Sequence, residues 1–149
     1  MAVLLGYPLA MTHKSGKVAE MVAQFAGRRL DARYLGYFDC FNRQLFYEAH
    51  DVLEDLWLLD RNGPDGDFYK GLIQLAGAFV HLQKERLRPS EALFKLADAN
   101  LRKYPAFYHS TNVGDLLELI ARWRADLAER RFERNPLREL AGPFIPLPE

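Results

Sequence analysis

The chain has 149 residues, which suggests one domain large enough to bury a core. Its 20 Lys and Arg balance its 20 Asp and Glu, which excludes a global electrostatic pull toward nucleic acid or an anionic membrane. The single cysteine, Cys40, excludes an intrachain disulfide and any cysteine-rich zinc site, and it fits a cytoplasmic location.

The opening "MAVLLGYPLAMTHK" is not read as a signal peptide, because it has no early positive charge and Pro8 interrupts its short apolar run. No stretch approaches the roughly 18 apolar residues of a membrane span. The first helix is expected to follow Ser15, a plausible N-cap, and to run through about Arg29, with Val18, Met21, Val22 and Phe25 at helical spacing. A second covers about 38–60 and ends before "RNGPDG", where Gly63, Pro64 and Gly66 break it. A third spans about 67–87, capped by Asp65 or Asp67. Ser90 is expected to cap a fourth, which must stop near Pro105. "FYHSTNVG" reads as a loop, and a fifth helix covers about 114–132, with Asp115 at its positive end. The basic run 122–134 alternates with acids, which predicts a solvated face with Trp123 and Phe132 in the core. The tail from 133 carries four prolines and reads as irregular chain packed on the surface. The fold class is all-α, a small antiparallel bundle of about five helices.

The second predicted helix holds the densest chemistry, in "FYEAHDVLEDLW" (46–57). With His50 at zero and about 100° per residue, Trp57, Phe46 and Leu53 fall on one side of it; Glu54 and Tyr47 fall on the other. Glu48, Asp51 and Asp55 form a polar sector that reads as solvated. His50 and Glu54 are flanked by large apolar residues and are expected to be buried, so each needs a partner. Residues i and i+4 share a helix face and can ligate one ion, but two ligands do not make a site. In the third helix Gln74 and His81 share a stripe with the small residues Gly71 and Ala78. If that stripe faces the His50 helix, His50, Glu54, Gln74 and His81 form one polar cluster. The cluster could hold a divalent metal, or its members could satisfy one another by hydrogen bonds. His13 and His109 fall in expected irregular segments with no evident partner. No nucleophile elbow, phosphate loop, dinucleotide fingerprint or HExxH is present.

"LFYEAHDVLEDLW" followed by "FYKGLIQLAGAFVHL" resembles the DUF309 family. His50, Glu54 and Trp57 match its HxxxExxW motif, and Gly71–Leu72–Ile73–Gln74 match a downstream GLIQ-type segment. Phe41, Asn42 and His81 also fit, and the similarity covers about 38–120 of the chain. The resemblance implies an all-helical bundle of unestablished function, with metal binding through HxxxExxW as a suggestion.

The combined expectation is one domain over 1–149, with a family-like core at about 38–120, an N-terminal helical extension 1–37 and a tail 133–149. His50, Glu54 and His81 are the expected ligands of a divalent metal. Gln74, Trp57, Tyr47 and Asn42 are the expected ligand-binding neighbours. The rival expectation is a non-catalytic interaction or structural module whose cluster is a hydrogen-bond network, with a homodimer or a small polar ligand as candidate partners. No nucleic acid or membrane partner is expected.

Overall fold

A computed structural model describes residues 16–149; the expected Ser15 cap and the rest of the N-terminal extension before Gly16 lie outside them. Among the described residues the chain is mostly helical, in the order α1 (Gly16–Ala23), α2 (Ala32–Asn42), α3 (Phe46–Asp60), α4 (Gly66–Gln83), α5 (Leu87–Leu101), β1 (Phe107–Tyr108), β2 (Thr111–Asn112), α6 (Val113–Glu129) and α7 (Pro136–Glu139). The helical bundle is as expected, but the count is larger.

The helix expected over 38–60 is two helices. Gln44 takes a left-handed conformation (φ 61°), and Leu45 N–H turns back to the Cys40 carbonyl, closing a Schellman-type end. This break lets α2 and α3 pack on each other instead of extending as one rod. Cys40 therefore sits inside α2, fully buried beside Met21, and not near a helix start. Ser90 is not a cap either: α5 begins at Leu87, and Ser90 is buried inside it. Working caps come from Asp31, Asn112 and Asn135, whose carboxylate or amide oxygens accept first-turn N–H groups of α2, α6 and α7.

Two corrections fall C-terminal to α5. The expected loop "FYHSTNVG" contains an antiparallel hairpin, Phe107 opposite Asn112 and Tyr108 opposite Thr111. The tail packs on the bundle as irregular chain, as expected, with Pro143, Ile145 and Pro148 buried, except that Pro136–Glu139 forms the short helix α7.

The core is an aromatic stack. Phe79 on α4 lies at its centre, stacked on Phe46 of α3 at 4.9 Å and edge-on to Phe41, Phe94 and Trp123. Such offset and edge-to-face pairs add to area burial. On its other face α4 packs closely on α5. A Cβ at Gly71 would stand 2.9 Å from Leu101 Cγ, so glycine sets the spacing of these two helices. No helix among the described residues is long and apolar enough to cross a membrane.

Candidate functional site

α3 is enclosed on several sides, since α4, α2 and α1 all pack against it. A helix so surrounded buries more than one stripe. His50 and Glu54 are 0% and 1% exposed, and His50 Nε2 lies 3.2 Å from Glu54 Oε2. The i, i+4 spacing brings them together one turn apart. Tyr47 lies on the same face, its ring 5.6 Å from the His50 ring. Trp57, two turns beyond His50, is buried in the core. Asp51 departs from expectation. Its place in the polar sector predicts a solvated side chain, yet it is 3% exposed, on a helix packed by α4, α2 and α1. Glu48 and Asp55 are half-buried rather than free on a solvated face.

The other half of the expected cluster is not at α3. Gln74 Oε1 accepts from Asn100 Nδ2 of α5 at 2.8 Å, and no hydrogen bond joins Gln74 to His50 or Glu54. The small-residue stripe of α4 exists, but it seats α5, as the Gly71–Leu101 approach shows. His81 follows Gln74 by seven residues and so shares its face. It is half-buried at the end of α4. Burial lowers its pKa below the ordinary imidazole range, and the charges of Arg86 and Lys84 add to the effect. Among the described residues no group of three or more His, Cys, Asp or Glu side chains is placed to hold a metal ion. The expected set of His50, Glu54 and His81 is therefore not assembled.

Asn42 ends α2 and works as a clasp for the tail. Its Nδ2 donates to the Ile145 carbonyl at 2.7 Å, and its Oδ1 accepts from Ile145 N–H at 2.8 Å. It orients the C-terminal segment, 103 residues away, and not a ligand at α3.

Residues 34–93 match the family model described as "Domain of unknown function (DUF309)". The chain carries a DUF309 domain. The matched segment runs from Tyr34 on α2 into α5, so the DUF309 match contains the α3 pair, Trp57 and the whole of α4. No curated protein matches the chain, and no solved structure does.

One group outside α3 had no sequence signal. His109, expected to lack a partner, lies 2.9 Å from Asp65 at the head of α4. Their separation in sequence hides the pair, and the turn that brings His109 there has neither Gly nor Asn at its tip.

Proposed function

We propose that the His50–Glu54 pair of this DUF309 domain is an internal structural lock, and that the domain acts through its surface as a helical module. The observation that carries this reading is the burial of the pair: both side chains are sealed from solvent and stand 3.2 Å apart. Losing one partner of a buried pair is costly, so each side chain holds the other in place on α3, whereas an open metal or catalytic site needs access for its ligand. Tyr47 extends the lock along the same helix, its ring 5.6 Å from the His50 ring. We also infer that successive helices alternate in direction, which the short connection between α4 and α5 and the approach of Gly71 to Leu101 support.

A divalent metal is the rival reading; His50 and Glu54 would be its ligands, with the remaining ligands supplied by groups other than His81. Elemental analysis of untagged protein, purified without chelator, separates the two. The lock predicts background metal in the parent and in His50→Ala alike. Near-stoichiometric zinc, manganese or iron in the parent, lost in His50→Ala, would overturn it.

A further inference from the structure

A cleft of about 660 Å³ runs between α6 and the C-terminal tail, and no residue of α3 lines it. Leu119 and Trp123 of α6 form one side, and the tail from Leu140 to Phe144 forms the other. A recess of about 190 Å³ continues it toward the first turn of α6, sharing Leu119, Arg122 and Phe144. The sequence builds the tail side. Pro143 and Ile145 are buried, which leaves Phe144 between them facing outward, 67% exposed. Asn42 holds Ile145 by both its backbone groups, so the wall has a fixed anchor beside Phe144. A space of this size takes a small organic molecule.

The cleft is rich in donors. Arg122 lines both parts, is exposed, and makes no ion pair with a described residue. Asp126, the other charged residue of the larger part, is matched by Arg130 at 3.3 Å. Trp123 is 6% exposed and packs edge-on against Phe79 at 4.9 Å, but its indole N–H donates to no described acceptor. The N–H groups of Ala141, Gly142 and Phe144 on the tail side also donate to no described residue. Backbone donors beside a guanidinium suit an anion, and a carboxylate can take two parallel N–H···O bonds from arginine. The unmatched charge of the larger part is a single positive one. Asp115 and Glu118 line the smaller recess, so a dianion or a second acid group would meet their repulsion. Beside the donors lie Leu119 and the rings of Trp123 and Phe144, and aromatic pairs gain beyond area burial alone.

We propose that this cleft binds a flat aromatic monocarboxylate, with its carboxylate on Arg122 and its ring against Leu119, Trp123 and Phe144. The site is separate from the His50–Glu54 lock, and neither reading needs the other.

The test titrates the full chain with 2-naphthoate, with its neutral counterpart 2-naphthamide, and with inorganic phosphate, by calorimetry and by amide-resolved NMR. Saturable binding of 2-naphthoate is expected, with Kd at or below about 1 mM for a ligand of this size. The indole N–H signal of Trp123 and the amide of Gly142 should move, while the indole signal of Trp57 stays in place. The parent should bind 2-naphthamide, and Arg122→Gln should bind 2-naphthoate, about 10-fold more weakly, because each change removes the charge-assisted pair. Arg122 is exposed and ties no described elements together, so the variant should keep the parent's Tm. No saturable binding overturns the proposal, as does amide or Arg122→Gln binding within twofold of the parent with 2-naphthoate. Signal changes confined to residues outside the cleft, or phosphate binding more tightly than 2-naphthoate, overturn it equally.

Discussion

Asn42→Ala is expected to free the tail while leaving the bundle folded. The side chain makes two neutral hydrogen bonds to Ile145, at 2.7 and 2.8 Å, and these are its tie to the C-terminal segment. At about 0.5–1.5 kcal/mol net for each bond, their loss costs roughly 1–3 kcal/mol. For a chain of this length that lowers Tm by roughly 2–12 °C, at about 2–4 °C per kcal/mol. The sharper signature is local. Ile145 N–H loses its acceptor, so its protection against hydrogen exchange should fall by more than that of the α4 amides, which report global unfolding. Ile145 is itself buried, so its exposure should rise in the same experiment. Hydrogen exchange followed by mass spectrometry or NMR reads both. Protection at Ile145 unchanged in Asn42→Ala, or lowered equally across α4, would refute the clasp.

Phe79→Ala should be among the most damaging core changes, because Phe79 contacts four other aromatic rings. A cost of about 3–5 kcal/mol is expected in chemical denaturation, and less than about 1.5 kcal/mol would contradict its central place. Alkaline pH should weaken the fold. Burial holds Tyr69 up to about 12, and the hydrogen bond to Asp65 does the same for Tyr108. The unfolded chain releases these protons first, near pH 10, so the stability they contribute is intact below about pH 10 and is lost as pH rises through about 12. Absorbance at 295 nm against pH checks the delay; all seven tyrosines titrating together near pH 10 would deny it.

Much of the fold was readable because its signals are local. α4 shows as an apolar run between a Gly–Pro–Asp–Gly loop and a charged turn, and α6 shows through its amphipathic spacing. The burial of His50 and Glu54 was readable for the same reason, since large apolar residues flank both on the helical wheel. What periodicity lacks is the identity of the neighbour. The stripe holding Gly71 and Gln74 is legible from helical spacing, but it faces α5, and Asn100 takes the bond expected for α3. The α2–α3 break was invisible because its left-handed residue is Gln44, where a glycine would have marked it. Asp51 was misplaced because a helix covered on several sides has no simple polar face. Asn42 and His109 find their partners far along the chain, and one sequence read by itself carries no record of such contacts.

The central claim is that His50 and Glu54 stabilise the DUF309 domain through each other. A double-mutant cycle of His50→Ala, Glu54→Ala and the double variant, measured by chemical denaturation with and without chelator, tests it most directly. Each single change should cost about 3 kcal/mol, since it leaves the other buried polar group without this partner. The account predicts a coupling of about 1–3 kcal/mol that chelator does not alter. A coupling below about 0.5 kcal/mol, or one that chelator abolishes, would contradict it.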